Sequence, residues 1–386
     1  LPQKPMMKPI HLYYKKKEDT VRLGMMEDAI DLEDPNGAIY RLMTLMDGSR
    51  TFNQLYQELI VDYPEIHFFE MVEAIEELNG MGYLIDASFK DKSSLTAVEQ
   101  ERFKGNLNYY SYNANLSKSP YDIQEQVKNA NVTIIGMGAF GCSLLFNLAG
   151  LGVQKVKLID YDTVELSNLN RQMLFNEQSI GQPKIEEAKN FMSSFYSAME
   201  IETVSAMISN SEMVEDLIKG SDLVLLAADQ PPFLLPHWVN KACVKLDIPF
   251  IAGRLNISSA DIYTILPGKT GCVDCNFIHL HREDNEEDHE EFKIIANFVP
   301  PNWATAPNLM MITGMISHEA KVLLAGLGVP SSSGKILHLD FRTFKSEVRF
   351  EWQRLPDECP TCGHGHSDMF KILEDVRFQN WSMVKR

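Results

Sequence analysis

Val132-Thr133-Ile134-Ile135 followed by Gly136-Met137-Gly138-Ala139-Phe140-Gly141 decides how the rest of this 386-residue chain is read. A short β-branched run passes through closely spaced glycines into an apolar stretch of helical length, the hand-over from a parallel strand to a helix beside a phosphate. Glycines there permit the tight turn and let phosphate oxygens approach the backbone N–H groups that open the helix. Nineteen residues beyond Gly141, the next run, Val156 to Ile159, ends in Asp160, where an acceptor for ribose hydroxyls belongs. A further run, Leu223 to Ala227, ends just before Asp229. Strands alternating with helical patterns predict an α/β domain built on a doubly wound, mostly parallel Rossmann-like sheet that binds an adenine nucleotide, with NAD and ATP both open at this point.

The residues after Asp160 do not suit hydride transfer. Asp160-Tyr161-Asp162, Ser167-Asn168-Leu169-Asn170-Arg171-Gln172 and Gly181-Gln182-Pro183-Lys184 set Arg171 and Lys184 close behind the ribose acceptor. Two fixed cations there suit a triphosphate and the charge that develops as phosphoryl bonds rearrange. Asp229, at the carboxyl end of a strand, is a candidate ligand for Mg2+ on those phosphates.

Composition removes other classes. Lysine plus arginine number 36 against 53 aspartates plus glutamates, a net charge of −17 that opposes nonspecific binding to nucleic acid or anionic membrane. The uncharged stretch Asn129 to Gln154 is long enough to span a bilayer, but its glycines divide it into strand, turn and helix, so no membrane span is expected. No secretory core is visible from Leu1 to Ile10, and a cytoplasmic location follows as the default.

Four of the six cysteines form two Cys-x-x-Cys pairs, Cys272/Cys275 and Cys359/Cys362. Two such knuckles complete a closed four-thiolate zinc site. A thioredoxin-like redox pair is the competing reading, disfavoured because neither knuckle is expected to open a helix after a strand in a βαβ unit; His364 and His366 are spare ligands. Cys142 and Cys243 sit in apolar helical patterns and read as small core residues. Glu283 to Glu291 holds seven carboxylates in nine residues and reads as a solvated, mobile loop.

The N-terminal part reads as a separate small unit. Strands at His11 to Tyr14 and Val21 to Met25 precede helices marked by the Asp34-Pro35-Asn36-Gly37 turn, a Thr51 cap and Phe68 to Met81, then strand-like Gly82 to Ile85. That order is a winged helix-turn-helix. The expected organisation is 1–86 for this domain, 87–120 for a linker and leading helix, and 121–386 for the nucleotide domain.

Taken together, Gly136-x-Gly138-x-x-Gly141, Asp160-x-Asp162, Ser167-Asn168-Leu169-x-Arg171-Gln172, Gly181-Gln182-Pro183-Lys184, Asp229 and the two knuckles resemble the ThiF/MoeB/ubiquitin-activating adenylyltransferase superfamily over about Glu101 to Gly363. The resemblance implies ATP with Mg2+, structural zinc, a homodimer, and transfer of AMP to a carboxylate. It implies Asp160 on the ribose, Asn168, Arg171 and Lys184 on the phosphates, Asp229 on the metal, and Asp162 and Gln172 within the nucleotide site. The N-terminal unit resembles the PqqD-like domain that holds the leader of a ribosomally made precursor peptide as an added strand, here expected near Val21 to Met25. The pair of domains points to the peptide-maturation branch of the superfamily. Two departures stand out: the family's Arg-Tyr-x-Arg motif is Arg102-Phe103-Lys104-Gly105, and Ala139 replaces a glycine.

The leading functional reading is adenylation of a carboxylate of a precursor peptide in antibiotic biosynthesis, with an acidic side chain activated for ring closure. Its alternatives are terminal nucleotide attachment of the microcin type and adenylation of a ThiS/MoaD-like sulfur carrier, which leaves the N-terminal unit without a role. A nucleotide-sensing DNA-binding regulator is opposed by the negative charge and by the lack of a basic recognition helix.

Overall fold

The computed structural model describes residues 3–25, 29–284, 286–298, 301–366 and 373. It separates into two compact units, divided between Gln126 and Val127.

In the first unit, strands β1 (Pro5–Met7), β2 (Tyr13–Lys17), β3 (Thr20–Leu23) and β4 (Ile30–Glu33) precede helices Ala38–Leu45, Phe52–Asp62 and Phe68–Gly80, and β5 (Leu84–Asp86) follows. Each helix start has a local cause. Asp34, 2% exposed, accepts the N–H groups of Ile39 and Tyr40, and Thr51 and Gln54 form a reciprocal capping box. Leu23, Met43, Leu55, Leu59, Met71 and Ile75 fill the core, which Leu116 completes from beyond the helices. The sheet order β2-β3-β4 makes β3 the middle strand, paired on both sides. The expectation of a free edge at Val21 to Met25 is therefore corrected: the free edges belong to Tyr13–Lys17 and Ile30–Glu33.

The second unit carries β6 (Asn131–Ile135), β7 (Lys155–Ile159), β8 (Glu200–Val204), β9 (Leu223–Leu226), β10 (Phe250–Leu255), β11 (Ser259–Ile265), β12 (Lys335–Asp340) and β13 (Lys345–Glu351) in one sheet of order β13-β12-β11-β10-β9-β6-β7-β8. β8 to β10 by way of β6 form the parallel half, and β11 to β13 extend it antiparallel. Residues on both faces of the parallel half are apolar because helices cover both. On one face Gly253 meets Ile312 and Ile316 of helix Ala306–Leu324 and Phe140 of helix Ala139–Leu151. On the other, Ile135, Ile159, Val224 and Leu226 pack with Val214, Val239 and Ala242 from helices Ser211–Ile218 and Leu234–Leu246.

The acidic run departs from expectation. Residues Glu286–Asn297 form a helix, because Phe292 and Ala296, one turn apart, pack with Leu234, Phe277 and Leu373 while the neighbouring carboxylates stay in water. Phe292 also lies 4.7 Å from the Phe233 ring. Among the described residues, no helix is long and apolar enough to cross a membrane.

Candidate active site and cysteine cluster

The glycine turn is fixed by what surrounds it. Gly136 has φ 97°, and a Cβ there would lie 2.7 Å from the Ala228 nitrogen, so the turn is pressed against the segment that leads into Asp229. A Cβ on Gly141 would meet the Gly136 carbonyl oxygen at 2.0 Å, which closes helix onto strand. Gly138 differs: it is the N-cap of helix Ala139–Leu151, no side chain caps the helix, and nothing stands within 4 Å of its Cβ position. An open space before uncapped helix N–H groups is a place for an anion.

Asp160 stands at the end of β7, where its two oxygens accept the N–H groups of Met137 at 2.5 Å and Asp162 at 2.7 Å. The carboxylate thus ties the glycine turn to the following loop. That loop is zipped to the start of the next helix by Val164 N–H to the Gln182 carbonyl and Lys184 N–H to the Asp162 carbonyl. Lys184, buried at 7% exposure, places its ammonium 3.0 Å from the Asp162 carboxylate. Burial pushes the Asp229 carboxyl above the usual carboxylate range, against its own backbone N–H and the nearby Lys184 cation. Tyr161 is raised as well, by burial and then by Asp162, Asp160 and Asp229. The glycine turn, Asp160, Asp162, Lys184 and Asp229 therefore share one site at the carboxyl end of the parallel strands.

Asn168 ends the short helical turn Leu166–Asn168, and Arg171 and Gln172 follow it. Asn168 accepts the Glu165 N–H at 3.1 Å and shapes that turn, and Arg171 donates to the Ser167 carbonyl and the Asn170 side chain. Among the described residues no hydrogen bond or ion pair joins Arg171 to Asp160, Lys184 or Asp229. Arg171 Nε and Gln172 Oε1 are buried without a partner. Buried polar atoms left without a partner fit a place where a polar ligand group binds. Arg102 closes helix Ala97–Arg102 and Lys104 opens helix Lys104–Ser111 in the first unit.

The two knuckles, 87 residues apart, meet in space. All four sulfurs lie within 4.8 Å of one another, with Cys272–Cys275 at 3.8 Å, Cys272–Cys359 at 3.5 Å and Cys275–Cys362 at 3.3 Å. Four thiolates about 2.3 Å from one zinc ion would stand about 3.8 Å apart, so the set fits a tetrahedral ion, and these separations are far too long for disulfides. Backbone N–H groups of Leu355 and Cys362 point at Cys275 and Cys359 sulfurs, as they do around thiolates. Cys272 opens a helix, Val273–His281, but after the antiparallel strand β11, so this knuckle does not lie in a βαβ unit, as expected from the sequence. Cys142 and Cys243 are fully buried, and burial pushes the Cys142 thiol up to about 12.

Sequence reasoning missed the supports of this cluster. Asp274, 1% exposed inside the first knuckle, binds His237 Nδ1 at 2.7 Å and the Thr361 hydroxyl, while Asn240 accepts the Val273 N–H at 3.0 Å. An acidic residue between two ligand cysteines was the only signal in the sequence.

Comparison with known proteins agrees with this geometry. A family model described as the ThiF family matches residues 110–361. The chain belongs to the ThiF family. It is 31% identical over 245 residues to the molybdopterin-synthase adenylyltransferase of Escherichia coli K12, covering 63% of this chain and 91% of that protein. It is 28% identical to the heterocyst protein HesA of Trichormus variabilis, over 70% of this chain and 91% of HesA. The chain is an ATP-dependent adenylyltransferase, as that membership and those relatives show. Among solved structures, Escherichia coli MccB with AMPCPP and MccA superposes with TM-score 0.72 at 22% identity, covering 93% of this chain and 99% of MccB. PaaA superposes with TM-score 0.70 at 23% identity, covering 90% and 100%. The shared fold thus includes the small N-terminal sheet and helices.

Proposed function

We propose that this adenylyltransferase activates a carboxylate of a ribosomally made precursor peptide, an acidic side chain in the leading case, for attack by a second group of the same peptide. The observation that carries the reading is the N-terminal unit: a three-stranded sheet with two unpaired edges stands on the same chain as the nucleotide site. Added-strand binding of a peptide uses such an edge, at Tyr13–Lys17 or Ile30–Glu33. MccB, which has been solved with MccA and with N-formylated MccA, shares this architecture from end to end. A sulfur-carrier adenylyltransferase of the molybdopterin type would leave that unit without a task.

In this reading the N–H groups after Gly138 hold phosphate oxygens and Asp160 accepts from the ribose. Lys184 and Arg171 neutralise charge as the peptide carboxylate meets the α-phosphorus and pyrophosphate leaves. Asp229 would hold Mg2+, which when bound offsets triphosphate charge. Carboxylate and triphosphate are both anionic, so the local cations matter in a chain of net charge −17. The cysteine cluster would hold zinc for structure. A homodimer is part of the proposal: Met310 and Gly314 are exposed one turn apart on helix Ala306–Leu324, a face open to a second copy.

The test is to incubate the full chain with ATP, Mg2+ and synthetic peptides encoded beside its gene. Peptide-dependent AMP and pyrophosphate, with a mass change in the peptide, support the reading. Conversion with ADP and phosphate as the nucleotide products would make phosphorylation the chemistry instead.

A further inference from the structure

One cation near the reaction centre has no assigned task. Arg254 is the fifth residue of β10, exposed at the strand's carboxyl end. In the parallel pairing of β9 and β10, Ala252 stands opposite Leu226, and the same stagger sets Arg254 level with Ala228, the neighbour of Asp229. Adjacent strands are about 4.8 Å apart, so Arg254 stands one strand from the segment on which the glycine turn rests.

Its cross-strand partner ought to neutralise it and does not. Arg254 is directly opposite Asp261 on β11, and Asp261 opposite His338 on β12. Both Asp261 oxygens are already engaged, one by His338 Nδ1 at 2.7 Å, the other by Asn256 Nδ2 at 3.3 Å and Arg349 at 3.6 Å. Among the described residues, the Arg254 side chain makes no hydrogen bond or ion pair. Beside it, Trp303 is fixed by a 3.3 Å hydrogen bond to the Leu255 carbonyl and stays 39% exposed, and Ile257 is 73% exposed. A spare guanidinium with an apolar rim suits an organic anion better than a hydrated ion.

The two faces of β10 identify which substrate brings that anion. Gly253 faces Phe140 and hence the first turn of the helix that offers its N–H groups to phosphate. Arg254, the next residue, projects from the opposite face. The nucleotide is accounted for on the first face, which leaves the second for the other reactant. We infer that Arg254 binds a second carboxylate of the peptide substrate, one or two residues from the carboxylate that is adenylated, so that the enzyme selects peptides with paired acidic groups. The inference rests on the proposed peptide substrate and adds which peptides are taken.

The test is ATP–pyrophosphate exchange by the full chain, driven by synthetic hexapeptides with one acidic residue or with two, adjacent or one apart, in otherwise identical Gly/Ala/Asn sequences. Wild type should favour the two-acid peptides, and Arg254→Gln should remove that preference by about 10–100-fold, the range for losing a charged hydrogen-bond partner. The change should lie in KM for peptide, with KM for ATP and the melting temperature unchanged, and Arg254→Lys should restore part of the preference. Arg254→Gln raising KM for ATP equally with both peptide classes would assign the cation to phosphate and overturn the inference. Exchange that is indifferent to the substitution would make Arg254 a solvated side chain and overturn it equally. No exchange with any peptide while ATP still binds would sink the peptide reading itself, and this inference with it.

Discussion

Gly136 and Gly138 stand two residues apart in one motif, yet the structure gives them different duties, and alanine at each should separate folding from nucleotide binding. At Gly138 the backbone has φ −75° and the added methyl meets nothing within 4 Å. Alanine is a poorer N-cap by about 0.5–1 kcal/mol, while removing a glycine stabilises through the unfolded chain by about 0.4–1 kcal/mol, so the two nearly cancel. The melting temperature of Gly138→Ala should move by less than about 2 °C. The methyl does occupy the space where a phosphate would approach, and overpacking of about 1–3 kcal/mol corresponds to a loss of roughly 5–150-fold in ATP affinity. At Gly136 the φ of 97° costs an alanine about 1–2 kcal/mol. Contacts at 2.7 Å with Ala228 N, 2.8 Å with Ala228 Cβ and 2.9 Å with Ala227 C add about 1–3 kcal/mol more. At about 2–4 °C per kcal/mol for a domain of this size, Gly136→Ala should melt about 4–20 °C lower. Melting curves with and without MgATP check both: Gly138→Ala should keep its apo transition and lose the ATP-induced rise. A Gly138→Ala protein that binds ATP as tightly as wild type, or melts far below it, would refute the assignment of that space to phosphate.

Asp229→Ala should lower peptide-dependent pyrophosphate release by about 100-fold or more with the apo fold intact, as read by exchange kinetics and circular dichroism. Metal analysis should find about one zinc per chain, and Cys359→Ser should release it and lower the melting temperature; stoichiometric zinc in a Cys272/Cys359 double variant would contradict the four-thiolate site. Lys8, buried with its ammonium 2.8 Å from the Ala114 carbonyl, has its pKa lowered by burial to about 8. Between that value and the unfolded-chain value near ~10.4 the unfolded state binds the extra proton, so stability of the first unit should rise with pH across this window, and Lys8→Met should flatten the rise in hydrogen exchange of helix Lys104–Ser111. Light scattering at micromolar concentration should report a dimer, and a monomer would remove the two-copy part of the proposal.

What can be read from the sequence follows the strength of local signals. The strand at β6, the glycine turn and Asp160 at the end of β7 are legible because glycine spacing and β-branched runs are backbone constraints written in a few adjacent residues. The antiparallel half is less legible: Lys345 to Glu351 forms β13, yet only Val348 and Phe350 in it are apolar and nearly all its side chains stay in water, so the alternation is too short and too weakly apolar to mark a strand in a large sheet. β3 is legible to within a residue or two, yet its central position depends on β4, whose pairing with it no local pattern announces. The acidic run reads as a loop because Glu283 to Glu291 holds seven carboxylates and no apolar residue, whereas in space Phe292 and Ala296, just beyond it, decide where the helix lies. Arg254 carries no motif, and its lack of a partner is visible only once Asp261 is seen to be taken.

The remaining link joins the cysteine cluster to the reaction centre. The helix Leu234–Leu246 begins five residues after Asp229, and two of its side chains hold the first knuckle: His237 binds Asp274, and Asn240 accepts the Val273 N–H. Asp274 in turn reaches Thr361, inside the second knuckle, and Trp352 Nε1 donates to the Cys272 carbonyl at 2.9 Å. The chain leaving Asp229 is therefore anchored on a frame whose two halves lie 87 residues apart and are held together at the four sulfurs. A metal ion there would fix that frame without touching the nucleotide, because four thiolates leave no open coordination position. Its contribution to catalysis is then the placement of the segment after Asp229, so partial loss of metal should weaken the response of the rate to Mg2+ before it unfolds the parallel sheet, where buried Ile134 and Leu225 lie outside the apolar cluster that contains the four cysteines.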